Sequence, residues 1–190
     1  MRDLRSKRCD KPPRQNVGRP GLLTLLAQWD RLGGAIPRHE IRLGLESLSL
    51  DRDALLEWVR FNERAYQRNL IHSTETYEVL ALCWRSGQCS PIHDHGESIC
   101  GVLVVEGVAT ETVFAPTAGT RLKKAQECRI ELGSVILSRG DDIHQIANRE
   151  SSGTDLLSLH VYSPRLREYR TYDINEHTST YTTEHVYVVS

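Results

Sequence analysis

The stretch of sequence that decides the fold runs from Gly87 to Cys100 and reads GQCSPIHDHGESIC. It places His93 and His95 two residues apart. On a β-strand, side chains at this spacing project from the same face. Two imidazoles on one face can chelate a single divalent ion, and imidazole suits iron, zinc, copper and nickel. The stretch therefore predicts a metal-binding hairpin.

The glycines around this pair extend the pattern. The spacing of Gly87, His93, His95 and Gly107 resembles the first motif of the cupins, which are small β-barrels that hold a metal inside. In most cupins a glutamate ligand follows the second histidine by five residues, and here that position is Cys100. The resemblance implies a cupin barrel that lacks the usual carboxylate ligand.

A third metal ligand is expected from a later strand. Gly133, His144 and Asn148 fall at the spacing of the second cupin motif, although Arg139-Gly140-Asp141 replaces its Pro-x-Gly turn. His144 is therefore the candidate third ligand. The alternative is three ordinary histidines without a metal, and the paired spacing favours the metal site. Residue type alone does not separate iron from zinc.

Composition excludes several classes of protein. The chain has 190 residues, enough for one domain with a substantial core, and a net charge of −1, which predicts no bulk attraction to nucleic acid or membranes. No apolar run is long enough to span a bilayer. The five cysteines are odd in number and include no C-x-x-C pair, which favours a reducing cytoplasm over a disulfide framework. We expect a cytoplasmic monomer.

The chain divides into a basic start, a helical region and a β-rich region. We expect 1–20 to be a flexible basic tail and 21–190 to be one cupin-like domain, with a helical lead-in over 21–65 and a β-barrel over 66–190. Apolar spacing predicts a helix over Leu22–Leu32, and a capping serine with two acids predicts another from Ser49 to Val59. The fold class is mainly β: a cupin-type small β-barrel (jelly roll) with short N-terminal helices. Turn signals separate the predicted strands Tyr77–Trp84, Ile99–Val105, Val108–Phe114, Cys128–Leu132, Ser134–Leu137, Gln145–Ala147, Leu156–Tyr162, Tyr169–Asp173 and Tyr181–Val188.

One predicted strand carries an unusual polar face. Ser158, His160 and Tyr162 alternate with apolar residues and therefore share one side of the strand. Inside a barrel they could satisfy one another as a hydrogen-bonded row, which buried polar groups require. The alternative is a solvated outer face. Arg68, which we expect ahead of the first barrel strands, offers two parallel bonds to a carboxylate, or is a plain surface charge.

Four segments together resemble cysteine dioxygenase, in the thiol dioxygenase branch of the cupins. They are Tyr-x-Arg-Asn-Leu from Tyr66, Cys-Trp-x-x-Gly from Cys83, Ile-His-Asp-His-x-x-Ser-x-Cys from Ile92, and Ser-Leu-His-x-Tyr-Ser-Pro from Ser158. The match runs in order from Tyr66 to about Asp173. Each motif alone is moderate, and four in register make a chance match improbable.

The resemblance implies an enzyme that uses Fe(II) and O2 to oxidise L-cysteine to cysteine sulfinate. It implies that His93, His95 and His144 bind the iron, and that Arg68, with Tyr66 nearby, binds the substrate carboxylate. It assigns catalytic positions to Ser158, His160 and Tyr162 and allows a thioether bond between Cys100 and Tyr162. Ile99 and Gly101 depart from the animal enzymes, so we expect a different pocket wall near that bond.

Other functions remain open at this point. The nearest is dioxygenation of 3-mercaptopropionate or cysteamine, of which the first usually goes with glutamine at the Arg68 position and the second has no carboxylate for Arg68 to bind. A non-catalytic metal-binding cupin and a zinc or nickel isomerase are further alternatives. We assign no role to His177 and His185, and we expect His39 and His72 to face solvent. Cys83, Cys89 and Cys128 are interpreted as small apolar core or strand residues.

Overall fold

The computed structural model describes residues 21–117, 121–174, 179–183 and 187–188. Its helices all precede its strands. They are α1 (Leu22–Asp30), α2 (Arg38–Ser47) and a 3-10 helix (Asp53–Trp58). The proposed tail over 1–20, with His177 and His185, lies outside the described residues, and the predicted domain bounds stay a prediction.

The described strands form two six-stranded sheets, which confirms the mainly β prediction. The first sheet has the order β12-β1-β2-β9-β4-β7 and the second β11-β10-β3-β8-β5-β6, and neighbours run antiparallel except β1 with β12. The strands are β1 (Gln67–Ser73), β2 (Glu78–Trp84), β3 (Ile92–His93), β4 (Ile99–Glu106), β5 (Ala109–Pro116), β6 (Leu122–Ile130), β7 (Val135–Ser138), β8 (His144–Ala147), β9 (Leu156–Ser163), β10 (Glu168–Tyr172), β11 (Ser179–Thr183) and β12 (Tyr187–Val188).

The first sheet is buried on both faces. Alternate residues of β2, such as Val79 and Ala81, pack with the helices, whereas Leu80 and Leu82 belong to a second apolar cluster with residues of the other sheet. Successive side chains of a strand point to opposite faces, so one strand serves both cores. This explains why all seven residues of β2 are buried. The inner cluster surrounds the site described below.

The helical region differs from the prediction in two places. Helix α1 matches it, and Leu22, Leu25, Leu26 and Trp29 are all buried. The segment expected to form a second helix is only a short 3-10 helix, and the unpredicted α2 precedes it. Helix α2 has few apolar residues and an internal glycine, Gly44, and both features lower its local helix signal. Because a Cβ at Gly44 would meet the Trp29 side chain, packing explains the glycine.

Three details of the strand region also correct the prediction. Arg68 lies within β1 rather than ahead of the barrel strands, and β6 begins at Leu122, six residues before the predicted start at Cys128. Cys89 is exposed and forms an isolated β-bridge with Ala147, whereas Cys83 is buried and Cys128 half-buried. Polar residues such as those of β6 give a weak strand signal when one face is solvated.

Two further local features are settled by the fold. His39 is exposed as expected, whereas His72 is half-buried with Nε2 at 2.9 Å from Asp30 Oδ1. The sequence left the isomer of the Ser163–Pro164 peptide bond open, and the bond is cis. His72 lies on β1 and Ser163 ends β9, and both strands belong to the first sheet.

The two departures beside Cys100 face the helices rather than the pocket. A Cβ at Gly101 would meet the side chains of Ile41 and Leu45 on α2, and Ile99 packs against the helix-facing core. Because Cys100 points to the other face of β4, the expected change in the pocket wall is wrong. Gly101 instead lets α2 lie close against the sheet.

We predict that Gly101→Ala destabilises the protein by about 1–3 kcal/mol, because the added methyl group overpacks this contact. Urea unfolding followed by circular dichroism measures the change. Gly34→Ala is the matched control, since a Cβ there would meet nothing within 4 Å. Equal stability of the two variants would show that α2 has room to move.

Candidate metal centre and its pocket

Two of the three predicted ligands lie opposite each other on neighbouring strands. His93 ends β3, His144 begins β8, and the two are direct partners in the antiparallel register. His95 lies just beyond β3 rather than on it, and its backbone N–H donates to the Gly140 carbonyl at 2.8 Å. The loop after β3 therefore turns His95 back towards the strand pair, which a simple strand alternation does not predict.

The three imidazoles converge on one point. One ligand atom from each of His93, His95 and His144 lies within 4.8 Å of the others, and His95 Nε2 is 3.3 Å from His144 Nε2. The ring centroids are 4.8–5.0 Å apart. Two nitrogens about 2.0–2.1 Å from one tetrahedral ion would be about 3.4 Å apart, close to the separation of His95 Nε2 and His144 Nε2. The donor set therefore fits one divalent metal ion.

Burial keeps the rings of His93 and His95 neutral, as metal ligands must be. Removal from water lowers the pKa of His93 to about 3, with the neighbouring His144 acting in the same direction. Burial likewise holds the pKa of His95 well below its usual range, and His144 and His93 add to the effect. Lone pairs for a metal are thus available at neutral pH.

His93 and His144 each have a hydrogen-bond partner on ring nitrogen Nδ1. His93 Nδ1 is 3.0 Å from the Pro91 carbonyl oxygen, and His144 Nδ1 is 2.9 Å from Glu111 Oε1. Such partners set which nitrogen carries the proton and fix the ring orientation. Both rings are therefore held with Nε2 towards the shared centre.

The polar face of β9 turns inward, so the alternative of a solvated outer face is wrong. Ser158, His160 and Tyr162 are all buried. Ser158 Oγ is 3.0 Å from His160 Nε2, and Tyr162 OH is 3.4 Å from His160 Nδ1. Trp84 Nε1 donates to Ser158 Oγ at 3.0 Å, which extends the row to β2. Burial, and then the charge of Arg68, lowers the pKa of His160 far below its usual range.

All predicted site residues except Ser158 line one small cavity. Tyr66 stacks on Trp84 with ring centroids 4.2 Å apart, and the Arg68 guanidinium carbon lies 5.5 Å from the centre of the Tyr162 ring. Cys100 and Tyr162 are direct register partners on β4 and β9. The cavity is lined by Tyr66, Arg68, Leu82, Trp84, Ser90, His93, His95, Cys100, His144, Ile146, His160 and Tyr162.

Two acids that support the site were missed by the sequence analysis. Asp94 Oδ1 accepts the Arg170 backbone N–H at 2.9 Å, and its Oδ2 accepts the Tyr172 hydroxyl at 2.8 Å. These bonds fasten the histidine loop to β10, and burial with Asp94 raises the pKa of Tyr172 to about 12. The His-Asp-His pattern was a signal for Asp94, whereas nothing near Glu111 in the sequence marks it.

We predict that the metal-free protein loses stability as pH falls below about 6.5. The histidines of the unfolded chain then become protonated, whereas the buried histidines of the folded protein stay neutral because their pKa is lowered. Each such histidine contributes about 1.4 kcal/mol per pH unit between its unfolded and its lowered folded pKa. His160→Asn should lower the dependence of the unfolding free energy on pH by the contribution of one histidine, about 1.4 kcal/mol per pH unit, between pH 6 and pH 4. Urea unfolding in chelator measures it, with the exposed His39→Asn as control; an unchanged slope in His160→Asn would contradict the prediction.

Every helix within the described ranges is too short or too polar to cross a membrane.

Among solved structures, a protein from Thermus thermophilus is similar, with a TM-score of 0.50 at 20% identity over 58% of this chain and 94% of its own. A double-stranded β-helix protein from Klebsiella pneumoniae has a TM-score of 0.50 at 16% identity, over 63% of this chain and 94% of its own. These likenesses support the cupin-type fold.

Sequence comparison identifies the family. Human cysteine dioxygenase type 1 is 27% identical over 136 residues, which is 70% of this chain and 68% of the human one. The Danio rerio protein of the same description is 27% identical over 140 residues, or 71% and 69% of the two chains. The family model for cysteine dioxygenase type I matches residues 39–175, and they include the three histidines, Arg68 and the polar row of β9. This chain belongs to the cysteine dioxygenase type I family.

Proposed function

We propose that this protein is an Fe(II)-dependent dioxygenase that oxidises L-cysteine with O2 to cysteine sulfinate. Family membership supports thiol dioxygenation as the reaction type. The observation that favours cysteine is the position of Arg68, whose guanidinium lines the same cavity as the three histidines. Both oxygen atoms of O2 end on the cysteine sulfur, which supplies the electrons, so the reaction needs no other reductant.

His93, His95 and His144 would hold the iron. Their neutral imidazoles contribute no negative charge, so the ion would keep its full charge and favour an anionic ligand such as a thiolate. Bound Fe(II) would lower the pKa of the substrate thiol and provide a site for O2. The chain's own contribution is to hold the three ligands close together in a buried cavity.

Arg68 would bind the substrate carboxylate. It lies on β1 with its guanidinium against the ring of Tyr162, so a carboxylate bound there is within reach of the metal side of the cavity. Arginine makes two parallel bonds to a carboxylate, which fixes the orientation of the substrate as well as its position. Tyr66, stacked on Trp84, would form the adjoining wall.

The row on β9 would aim the Tyr162 hydroxyl. The Trp84 indole N–H can only donate, so Ser158 accepts it and can give its own hydrogen to His160 Nε2. A neutral His160 then carries its proton on Nδ1, facing the Tyr162 oxygen. The phenol hydrogen is thereby directed away from His160 and towards the bound substrate. This arrangement orients a donor without placing a charge in the cavity.

A thioether between Cys100 and Tyr162 belongs to the same proposal. The two residues are opposite each other in the antiparallel register of β4 and β9, and both side chains line the cavity. Side chains of directly opposed residues are close neighbours. The bond would join Cys100 Sγ to a ring carbon, and O2 would accept the two hydrogens removed. We further propose that the enzyme is a monomer of the reducing cytoplasm.

The deciding experiment is oxygen uptake by the Fe(II)-loaded protein with L-cysteine, 3-mercaptopropionate and cysteamine compared side by side. We expect preferred turnover of L-cysteine, with oxygen consumed and sulfinate formed in equal amounts. Protein stripped with chelator should lose activity, and Fe(II) rather than Zn(II) should restore it. Preference for another thiol would contradict L-cysteine as the substrate. Absence of oxygen uptake with all three thiols would contradict the proposed dioxygenase activity.

We predict that Arg68→Ala raises the KM for L-cysteine by about 10- to 150-fold, since hydrogen bonds to charged groups contribute roughly 1.5–3 kcal/mol. Arg68→Lys should have an intermediate effect, because an ammonium keeps the charge but not the paired bonds. Steady-state kinetics measure both. Arg42→Ala, which removes a half-exposed arginine of α2, is the control. A KM within twofold of wild type in Arg68→Ala would remove Arg68 from the proposal.

We predict that peptide mapping after turnover finds Cys100 and Tyr162 on one linked peptide, lighter than the sum of its parts by two hydrogen atoms. Cys100→Ser and Tyr162→Phe are informative variants: the first removes the sulfur, and the second keeps the ring carbon. The link should vanish in Cys100→Ser. Finding the two residues only on unlinked peptides in turned-over wild type would sink this part of the proposal.

A further inference from the structure

Glu111 is a buried carboxylate attached to a candidate metal ligand. Its side chain is 1% exposed, and its Oε1 lies 2.9 Å from His144 Nδ1. Glu111 lies on β5 and is paired with Ile146 of the neighbouring strand β8. Ile146 lines the cavity and lies two residues from His144. The pairing therefore directs the carboxylate to the inner face of the second sheet, behind the His144 ring.

The chemistry of histidine ligation requires an acceptor at this place. When Nε2 of His144 gives its lone pair to a metal, the ring proton must be on Nδ1. That N–H is buried, and a buried donor left without an acceptor destabilises the folded protein. Glu111 Oε1 is positioned to accept it. The contact thus holds the ring in the tautomer and orientation that ligation needs.

An ionised Glu111 would have a second effect on the site. A divalent ion held by three neutral imidazoles would bring an uncompensated charge into the barrel, and the position at which most cupins carry a glutamate ligand is Cys100 here. We propose that Glu111 is a positioning residue of the metal centre: it fixes His144 and supplies, one ring away from the ion, the negative charge that the ligands lack. The inference rests on the proposed metal centre.

The same arrangement explains why a carboxylate is tolerated in the interior. A buried charge is strongly destabilising unless an opposite charge and hydrogen bonds accompany it. Glu111 contacts His144 through one oxygen, and its Oε2 lies 3.9 Å from the Cys128 sulfur, which is a weak polar contact. A bound metal ion would add an opposite charge on the other side of the imidazole.

Glu78 provides a matched control. It is also 1% exposed, but its Oε1 accepts the Leu166 backbone N–H at 3.1 Å and its Oε2 lies 3.4 Å from Arg165 Nε. It therefore has a cation of its own and contacts none of the three histidines through these bonds. Glu78→Gln removes an equally buried charge from the barrel without touching His144.

The test is the affinity of the metal-stripped protein for Co(II), measured against a competing chelator, together with the visible absorption of the Co(II) form. We expect Glu111→Gln, which keeps an acceptor but not the charge, to weaken Co(II) binding about tenfold. Glu111→Leu, which removes both, should weaken it about 100-fold, in the range found for other partners of metal-bound histidines. The Co(II) spectrum should shift in both variants, and Glu78→Gln should resemble wild type.

Each other outcome is informative. Equal affinity and spectrum in Glu111→Gln, Glu111→Leu and Glu78→Gln would overturn the inference and leave the metal centre standing. Wild type that binds no Co(II) or Fe(II) would instead overturn the proposed function. If the glutamine and leucine variants do not fold by circular dichroism, Glu111→Asp keeps the charge but draws it back from His144. Wild-type affinity in that variant would then reject the positioning role.

Discussion

The structure depends on bringing three imidazoles together in the buried interior of the barrel. Like groups with lone pairs do not attract one another, so the barrel has to hold them by other means. The register between β3 and β8 places His93 opposite His144, and the bond from His95 to Gly140 closes the loop behind them. Burial then keeps the rings of His93 and His95 uncharged, which is the state that binds a metal.

The two faces of the first sheet have different roles, because successive side chains of a strand point to opposite faces. One face of β2 and β4 packs under α1 and α2, and the other lines the cavity. Substitutions on the helix-facing side, such as those at Ile99 and Gly101, can therefore change how the helices dock without altering the pocket. A residue adjacent in sequence to Cys100 is not adjacent to it in the site, because neighbours along a strand face opposite ways.

Two acidic residues near the site, Asp94 and Glu111, make different kinds of contact. Asp94, between two candidate ligands, turns away from them and ties their loop to β10 through Arg170 and Tyr172. Glu111 contacts His144 from behind, on a strand far away in sequence. Glu111 therefore contacts a candidate ligand from outside the cluster of three histidines.

The sequence by itself determined the fold class, the three histidines and the polar row of β9. Those features have local signals: two histidines separated by one residue, glycines at turns, and polar residues that alternate with apolar ones. It failed at α2, whose glycine and few apolar residues make sense only against Trp29, and at β1, where Arg68 lies inside the sheet. Helix and strand signals weaken wherever tertiary packing supplies the stability.

Only the tertiary structure decided which side chains meet. The pairings of His93 with His144 and of Cys100 with Tyr162 follow from strand register, which depends on the whole sheet and not on either segment. Glu111 could not be found from the chain, because its role comes from a partner 33 residues away. Sequence spacing predicts the donors that a site can use, whereas the contacts that orient those donors arise when distant strands pair.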